Sequence, residues 1–411
     1  MSVKNTKTFI GELERAATMN VLDNGVLSGF SGTLTKNDYE ILFTESTSPA
    51  CGNYRFLGGE EVQKIERTIS DITKQKFSIL FNSATNALVA GLKALDLNAG
   101  SKIAVPTVSF SATVASVVAA GYTPVYVDVD SSCNMSAVSL QSALSQHDIC
   151  AVIFVQWTGS SQNLFDVLEV CEKENVLLVE DASQATLTNA TENVVNGTTG
   201  VFGVYSFNGP KNLSCGEGGA LVTNCREIAS YVRLTRNHGE AALVFKEKLD
   251  LNRFFVGFNM RPTEIQATIA HEQILRRDEL NEIRINNYEL IKDGLQEFLI
   301  PQCLNNNYIP YSAGFFVLDN NKKNLVTRLH NSNLPIFSNY PIEHWQLFDE
   351  LDIDKYPGTK FYHDNFICFF NIGYPNTECD VKEFVNKIKI CMKNKIEIEK
   401  LNVKEFFIGR F

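Results

Sequence analysis

The sequence predicts an α/β protein in which helices flank a large, mostly parallel β-sheet, with a smaller α+β domain toward the carboxyl terminus. The first observation behind this prediction is the alternation of short apolar runs with helical patterns between Phe77 and about Val222. Strands buried on both faces read as continuous apolar runs, and helices of about 10 to 15 residues between them connect parallel strands. The second observation is a change of texture after Asn259, where a long, charge-rich helical pattern begins.

The first part of the chain supplies the strands and helices of the predicted sheet. Each strand is a run of aliphatic and aromatic residues that stops at a turn-forming or polar residue, as at Pro106. The predicted strands are residues 78–81, 102–105, 124–128, 152–155, 176–179 and 203–206, and the helices between the first of them are residues 82–95 and 111–120. Because ligands of such sheets bind beyond the carboxyl ends of the strands, we expect the functional residues there.

Two domains are expected from these patterns. Residues 1–260 form the large domain, and residues 261–411 form the small one. A long helix from residue 262 to about 299 leads into the small domain, and an amphipathic helix covers about 380–392. The tail after it has no assignment.

The charge balance argues against two classes of partner. The chain of 411 residues has a formal net charge of -10 and a pI near 5.3. A surplus of acidic groups repels nucleic acid and anionic membranes, so neither is expected as a main partner. Any phosphate-bearing ligand must therefore be held by local amides, hydroxyls and selected cations.

The sequence gives no sign of a targeting segment, a membrane span or a metal site. Residues 1–17 lack the apolar core of a signal peptide, and no window approaches the ~18 apolar residues of a membrane-spanning helix. The ten cysteines include no Cys-x-x-Cys pair, a pattern typical of reduced thiols in a cytoplasmic protein. We therefore expect a cytoplasmic protein, and single out Cys215 as the thiol to watch for modification.

Lys211 lies in a tight, glycine-rich segment that is preceded by a strand with a carboxylate at its end. The lysine follows Asn208-Gly209-Pro210, and Gly216-Glu217-Gly218-Gly219 comes shortly after it. About thirty residues earlier an apolar run ends in Glu180-Asp181-Ala182-Ser183-Gln184-Ala185. Pyridoxal phosphate chemistry needs such a pair, because the amine forms a Schiff base with the cofactor aldehyde while Asp181 pairs with the pyridinium nitrogen. Burial would lower the pKa of Lys211 and favour its neutral amine.

Residues 82–88 follow a predicted strand and open a helix, and they predict a phosphate cradle. The free N–H groups of a helix start, with the hydroxyls of Ser83 and Thr85, bind anions well. Capping of the helix by either hydroxyl explains the same residues, so this segment alone leaves both interpretations open. Ser206, five residues before Lys211, is placed to bind the same phosphate from the opposite side.

Asp181 and Phe110 each have a structural interpretation beside the functional one, and Gln184 is considered together with Asp181. Gln184 lies near the same strand end as Asp181 and is able to donate to the ring oxygen of the cofactor, while an Asp in that place is also typical of a cap or turn. Phe110 follows another strand end, where an aromatic ring can lie flat on a pyridine, although such residues commonly belong to the core. Neither Asp181 nor Gln184 is diagnostic by itself.

Taken together, these segments resemble the pyridoxal-phosphate-dependent sugar aminotransferases of the DegT/StrS type, which share the fold type I of aspartate aminotransferase. The resemblance covers most of the chain and rests on matches that keep the family's order. These are Ser83 to Leu88, Pro106 to Phe110, Glu180 to Ala185, Ser206 to Gly219, Arg236 to Gly239 and Gly257 to Arg261.

The resemblance implies a role for each matched residue. Lys211 forms the Schiff base and moves a proton, and Asp181 keeps the pyridine nitrogen protonated. The remaining cofactor-binding residues are Phe110 on the ring, Gln184 at its oxygen, Ala84, Thr85 and Ser206 at the phosphate, and Asn259 from the other subunit of a homodimer with shared active sites. The implied reaction moves an amino group from L-glutamate to a keto or aldehyde carbon of a sugar, for amino-sugar or surface-polysaccharide biosynthesis.

The chain departs from the family pattern in places that bear on the substrate pocket. Where many relatives have His-x-Thr-Lys, this chain has Asn208-Gly209-Pro210-Lys211, and residues 33–56 form a longer segment than expected that would shape the acceptor site. The Tyr-Pro-x-x-His motif appears at Tyr340 and His344. These two residues and Arg261 are the substrate-contact candidates.

Two other functions stay open at this point. Some relatives are sugar dehydratases that use the pyridoxamine form and have His in place of the lysine; the presence of Lys211 argues against that reaction. A non-catalytic regulator with the same fold is disfavoured because Lys211, Asp181, Gln184 and Ser206 are all retained. The sequence leaves open which sugar is aminated, whether a hexose or a keto-octulosonate, and whether it is nucleotide-linked, phosphorylated or free.

Overall fold

A seven-stranded sheet forms the centre of the larger part of the molecule. The computed structural model describes residues 4, 7–31, 34–48, 55–245, 255–302, 307–317, 322–334, 336–338, 351–370 and 372–392. The strands in chain order are β1 (Phe77–Phe81), β2 (Lys102–Pro106), β3 (Thr123–Val127), β4 (Ile149–Val155), β5 (Leu177–Asp181), β6 (Asn189–Thr191), β7 (Val194–Val195), β8 (Phe202–Ser206) and β9 (Gly219–Thr223). Strands β6 and β7 form a separate two-stranded ribbon, and the others have the order β1-β9-β8-β5-β4-β2-β3.

The sheet is mostly parallel, as predicted from its apolar strands. Strands β3, β2, β4, β5 and β8 pair in parallel, while β9 runs antiparallel to both β8 and β1. The antiparallel strand was not predicted from the sequence, which assigned no strand after residue 206. It arises because the segment after β8 turns back at once as a hairpin, and Lys211 lies in the loop of that hairpin.

Helices cover both faces of this sheet and complete its core. They are α1 (Glu12–Asn24), α2 (Glu60–Thr73), α3 (Ala84–Ala94), α4 (Ser111–Ala119), α5 (Ala137–Gln146), α6 (Leu164–Glu174), α7 (Arg226–Arg236), α8 (Ala241–Val244) and α9 (Glu264–Leu275). Alternate residues of each strand point to opposite faces. One face packs on α3, α4 and α7, and the other packs on α2, α5, α6 and α9. The predicted α/β class is therefore confirmed.

A second, smaller sheet lies in the carboxyl-terminal part. Its strands are β10 (Ile300–Pro301), β11 (Ala313–Phe316), β12 (Phe337–Ser338) and β13 (Phe366–Phe369), in the order β10-β11-β13-β12 and antiparallel throughout. The helices of this part are α10 (Arg277–Leu295), α11 (Lys322–Asn331), α12 (Pro357–Asn365) and α13 (Glu378–Met392). Helices α10, α11 and α13 share an apolar core with this sheet. The boundary that we predict at residue 260 stays a prediction.

The long helix expected over residues 262–299 is two helices, and on this point the sequence prediction is wrong. The backbone of Arg276 leaves the helical region, with φ -107° and ψ 15°, and separates α9 from α10. Its guanidinium binds Glu279 at 2.6 Å and Glu14 at 3.3 Å. The break has a packing reason, because α9 lies against α1 and α2 while α10 lies against α13. A straight helix could not contact both layers.

Asp128, just after β3, joins the carboxyl-terminal part to the large sheet. Its carboxylate accepts hydrogen bonds from the N–H groups of Val129, Gly358 and Thr359, and from the Thr359 hydroxyl. Burial raises the pKa of this carboxyl, against the effect of its donors. The first turn of α12 is therefore anchored to the residue that follows β3. Within the described ranges, no helix has both the length and the apolar character that crossing a membrane would require.

Candidate active site

A cavity of about 260 Å³ lies at the carboxyl ends of β4, β5 and β8, beside the first turns of α3 and α4. Seven of the residues predicted to act at the cofactor line it: Ala84, Thr85, Phe110, Asp181, Gln184, Ser206 and Lys211. A groove of about 970 Å³ lies elsewhere, along α10 and residues 187–189, and none of the predicted site residues lines it. The smaller cavity is the candidate site because the chemistry converges there.

Lys211 is held at the cavity by the hairpin between β8 and β9. The N–H of Gly209 donates to the carbonyl of Gly216 at 2.9 Å, and the N–H of Lys211 donates to the carbonyl of Asn208 at 2.9 Å. The Nζ lies 4.5 Å from the centre of the Tyr311 ring. Loss of water around the amine lowers the pKa of Lys211 to about 8, although the Asp181 carboxylate opposes this shift. A usable fraction of the amine is therefore neutral near neutral pH.

Asp181 is the last residue of β5 and is buried, with 7% of its surface exposed. The hydroxyl of Thr113 donates to one of its carboxylate oxygens at 3.2 Å, and the N–H of Ser183 donates to the other at 3.2 Å. These two donors fix the direction of the carboxylate at the cavity. They leave it able to accept a further hydrogen bond from a ligand.

The neighbouring Glu180 has a structural role. It is fully buried, and its carboxylate accepts from the side chain of Gln156 at 2.6 Å and from the N–H groups of Gly197, Thr199 and Gly200 at 2.6 to 3.1 Å. These bonds tie the end of β5 to the segment that enters β8. Consecutive residues of a strand face opposite sides, so the Glu-Asp pair serves the core and the cavity separately.

Gln184 is oriented by Thr158, a residue that sequence reasoning missed. The N–H of Thr158 donates to the side-chain oxygen of Gln184 at 2.7 Å, which leaves the amide nitrogen of Gln184 as the donor at the cavity. The carbonyl of Thr158 accepts from the N–H of Tyr311 at 2.8 Å, and its hydroxyl donates to Gln302 at 3.0 Å. Its φ of +57° is uncommon for a residue with a β-carbon. This junction links the two sheets at the site.

The first turn of α3 forms one wall of the cavity. Ser83 caps the helix, because its hydroxyl accepts from the N–H of Asn86 at 3.2 Å, as the capping interpretation proposed. The N–H groups of Ala84 and Thr85 belong to the same turn, in which a helix supplies no acceptors. Capping and anion binding are therefore compatible, since different groups of one turn serve each.

Ser206 lines the cavity at the end of β8, and Gly219 of β9 lies against the first turn of α3. Ser206 is buried, and its hydroxyl accepts from the N–H of Asn208 at 3.4 Å. A β-carbon added at Gly219 would lie 2.3 Å from the backbone nitrogen of Ala84. Only glycine allows β9 to approach the start of α3 this closely. Among the described residues that line the cavity, Lys211 is the one with a cationic side chain.

These residues fit pyridoxal phosphate. Amide and hydroxyl donors suit a phosphate, while an amine, a carboxylate and an amide donor suit the aldehyde, the ring nitrogen and the ring oxygen. Phe110, at the start of α4, is 45% exposed and lines the cavity, so its ring is accessible to a planar ligand.

Other candidates lie away from this cavity or outside the described residues. Asn259 is exposed and pairs with Asn237 through a backbone bridge, and Arg261 donates to the side chain of Asn237 at 2.9 Å. Neither lines the cavity in its own chain, so their roles stay predictions. Tyr340 and His344 fall outside the described residues.

Cys215 has an environment that disfavours reaction. Burial, with a smaller effect of the Glu217 carboxylate, raises the pKa of its thiol to about 12. The sulfur lies 3.1 Å from the carbonyl oxygen of Glu217. Because the thiolate is the reactive form, this cysteine is a poor candidate for modification.

The fold and the cavity define the class of pyridoxal-phosphate-dependent transferases. The chain belongs to the DegT/DnrJ/EryC1/StrS aminotransferase family, whose model matches residues 44–385. The family confirms the predicted cofactor, pyridoxal phosphate, and the resemblance found in the sequence.

Several relatives with curated names are sugar-modifying proteins. GDP-perosamine synthase of Caulobacter vibrioides is 33% identical over 227 residues, which are 54% of this chain and 58% of the relative. The UDP-4-amino-4,6-dideoxy-N-acetyl-beta-L-altrosamine transaminase of Helicobacter pylori is 26% identical over 309 residues, 71% of this chain and 80% of the relative. The matched region spans 58 to 59% of the length of three curated relatives, GDP-perosamine synthase among them.

Solved structures share the fold. Helicobacter pylori PseC, an aminotransferase involved in the biosynthesis of pseudoaminic acid, has a TM-score of 0.77 and 20% identity, over 96% of this chain and 100% of its own. A GDP-4-keto-6-deoxymannose-3-dehydratase has a TM-score of 0.75 and 20% identity, over 93% of this chain. At this identity the likeness concerns the fold, which an aminotransferase and a dehydratase share.

The contact between Gly219 and α3 predicts a steric test of the phosphate wall. Gly219→Ala places a methyl group against the backbone of Ala84 and should displace the first turn of α3, so we expect pyridoxal phosphate to bind at least roughly tenfold more weakly. Fluorescence titration of the cofactor-free protein measures this. Gly209→Ala is the matched control, because a β-carbon at Gly209 meets nothing within 4 Å. Equal affinities for the two variants would refute the assignment of this wall.

Proposed function

We propose that the protein is an aminotransferase that moves an amino group from L-glutamate to a keto or aldehyde carbon of a sugar, for amino-sugar or surface-polysaccharide biosynthesis. The observation that carries the proposal is the convergence of Lys211, Asp181 and the first turn of α3 on one cavity. The names of the curated relatives support a nucleotide-linked sugar, since they include GDP and UDP sugars. Lys211 favours amino transfer over dehydration, as the sequence predicts.

When bound, pyridoxal phosphate supplies a carbonyl that condenses with amines and a ring that withdraws electrons from the attached carbon. Lys211 supplies the amine through Nζ, whose pKa of about 8 keeps part of it neutral, and Nζ then moves a proton to and from the substrate carbon. Asp181 accepts a hydrogen bond from the ring nitrogen and stabilises its protonated form. The two donors to Asp181 keep its carboxylate directed at the cavity.

The other lining residues bind and orient. Ala84 and Thr85 donate their N–H groups to the phosphate, and Ser206 donates its hydroxyl from the opposite wall. Gln184 donates an amide N–H to the ring oxygen of the cofactor. The N–H of Thr158 enforces this orientation, because it binds the side-chain oxygen of Gln184. Phe110 packs on the ring and excludes water from that face.

The role of the lysine is tested by absorbance spectroscopy. We expect the purified protein with pyridoxal phosphate to show a visible band that shifts when L-glutamate is added, because glutamate donates its amino group. Lys211→Ala should lose both the band and steady-state turnover. Lys173→Ala, at an exposed lysine near the end of α6, is the control and should behave as the parent protein. Turnover retained by Lys211→Ala would exclude the proposed mechanism.

The two adjacent carboxylates of β5 should separate chemistry from stability. Asp181→Asn keeps the shape of the side chain but cannot stabilise a protonated ring nitrogen, so we expect turnover to fall roughly a hundredfold or more. Glu180→Gln removes an acceptor from a buried cluster of donors, so it should lower the midpoint of thermal unfolding and reduce the turnover of the folded fraction less than Asp181→Asn does. The pair is compared by steady-state kinetics and calorimetry. A reversed pattern, with Glu180→Gln inactive and Asp181→Asn active, would contradict these roles.

We further propose a homodimer in which Asn259 completes the site of the partner subunit. Asn259 is exposed and lies outside its own cavity, and the apolar side chains of its sequence neighbours Val256 and Phe258 are exposed as well. Large exposed apolar residues that cluster mark interaction surfaces. These exposed side chains support the proposal of a dimer contact through which Asn259 would reach the phosphate site of the partner subunit.

Hybrid dimers test the shared site. Lys211→Ala and Asn259→Asp should each be inactive as homodimers, the second because a carboxylate faces the phosphate. A hybrid purified through two different tags holds one intact site of two, so we expect about half of the turnover per parent dimer. Inactive hybrids, with both tags present in equal amounts, would mean that Asn259 acts within its own subunit, and an active Asn259→Asp homodimer would mean that it does not act at all.

A further inference from the structure

Arg284, on α10 of the carboxyl-terminal part, contacts the lysine hairpin from behind. It is buried, with 2% of its surface exposed. One terminal nitrogen donates to the carbonyl oxygens of Pro210 and Lys211, both at 3.0 Å, and the other donates to the carbonyl of Tyr311 at 3.1 Å. One guanidinium therefore holds the backbone of Lys211 together with that of Pro210 and Tyr311.

The two hairpin carbonyls lie on either side of the lysine α-carbon. The carbonyl of Pro210 belongs to the peptide that precedes Lys211, and the carbonyl of Lys211 belongs to the peptide that follows it. Fixing both peptide groups restricts the φ and ψ rotations of the lysine, and so the direction in which its side chain leaves the backbone. Asn281, one turn earlier on α10, accepts from the side chain of Asn212 at 3.1 Å and supports the same hairpin.

The buried charge of Arg284 is bound by backbone carbonyls. Among the described residues, no acidic side chain forms an ion pair with this guanidinium, and its recorded acceptors are the three backbone carbonyls. A buried cation without a counter-ion is costly, because the carbonyl dipoles replace only part of its hydration. Burial accordingly lowers the pKa of Arg284 to about 10. A residue retained at such a cost calls for a role beyond packing.

We propose that Arg284 is a positioning residue of the active site, which holds Lys211 and Tyr311 in register through their backbone carbonyls and keeps a positive charge behind the lysine amine. This inference rests on the proposed function and deepens it. The fixed charge disfavours a second positive charge on Nζ, and it acts with burial, the larger effect, to lower the pKa of Lys211. Arg284 itself does not line the cavity, so it acts through Lys211.

The sign of the effect follows from electrostatics. A like charge favours the neutral form of an amine, so removal of the guanidinium charge should raise the pKa of Lys211. Each unit by which this pKa rises lowers the neutral fraction of the amine at pH 7 about tenfold. Replacement by Lys keeps a charge but offers fewer well-directed donors than the planar guanidinium. The two substitutions therefore separate the charge of Arg284 from its geometry.

The test is the pH dependence of visible-band formation after pyridoxal phosphate is added to the full chain stripped of cofactor. For Arg284→Met we expect the midpoint to rise by roughly one pH unit and the rate at pH 7 to fall about tenfold. For Arg284→Lys we expect an unchanged midpoint and a plateau rate at least roughly threefold lower, from the loss of a directed hydrogen bond. The control is Arg277→Met, at an arginine on the same helix that pairs with Asp278 at the surface.

Thermal unfolding of the cofactor-free variants reports whether each one folds. A folded Arg284→Met protein with the midpoint and rate of the parent would overturn the inference. Should Arg284→Met fail to fold, Arg284→Lys decides the matter, and a parental plateau rate there would overturn it equally. A parent protein that gives no band at any pH would instead remove the proposed function, and this inference with it.

Discussion

The buried carboxylate of Glu180 is the interaction on which the geometry of the site depends. Its bonds to Gln156 and to the segment before β8 fix where β4, β5 and β8 end relative to one another. Asp181, the next residue, takes its position from that fixed end, and Thr113 and Ser183 set the direction of its carboxylate. Lys211 comes from the hairpin that follows β8, so the relative placement of acid and amine is set by one buried group of the core. Parallel strands make this possible, because their carboxyl ends meet at one edge.

The site also depends on the carboxyl-terminal part of the chain. Tyr311 reaches over the amine of Lys211, and its backbone is held on one side by Thr158 and on the other by Arg284. Thr158 in turn orients Gln184, and it accepts an uncommon left-handed backbone in doing so. A change in the packing of the smaller sheet would therefore displace both the side-chain amide of Gln184 and the ring of Tyr311 at the Lys211 amine. The two sheets meet through hydrogen bonds at the site as well as through apolar contact.

Sequence patterns predict the sheet and most of the cavity because both are recorded locally. An apolar run followed by Asp181, or a glycine-rich turn around Lys211, has its meaning within a few residues. Arg284 has no such signal, since it is one of several arginines in a charge-rich segment and its acceptors lie 27, 73 and 74 residues away. Thr158 has no sequence signal either, because its contacts with Gln184 and Tyr311 are made by backbone groups. The break at Arg276 was missed because the helical pattern continues through it, and tertiary packing decides where it bends.

The proposed phosphate site, whose donors are amides and hydroxyls, has a consequence for how the cofactor would bind in solution. The chain has a formal net charge of -10, so a dianion approaching from a distance meets a repulsive field that salt screens over a Debye length of roughly 8 Å. Once inside, the ligand meets short, fixed dipoles at the start of α3, which salt screens far less. Ionic strength should thus change the association rate of the cofactor and leave its dissociation rate nearly unchanged. In a crowded solution of competing anions, selection would depend on the shape of the wall, with little contribution from charge.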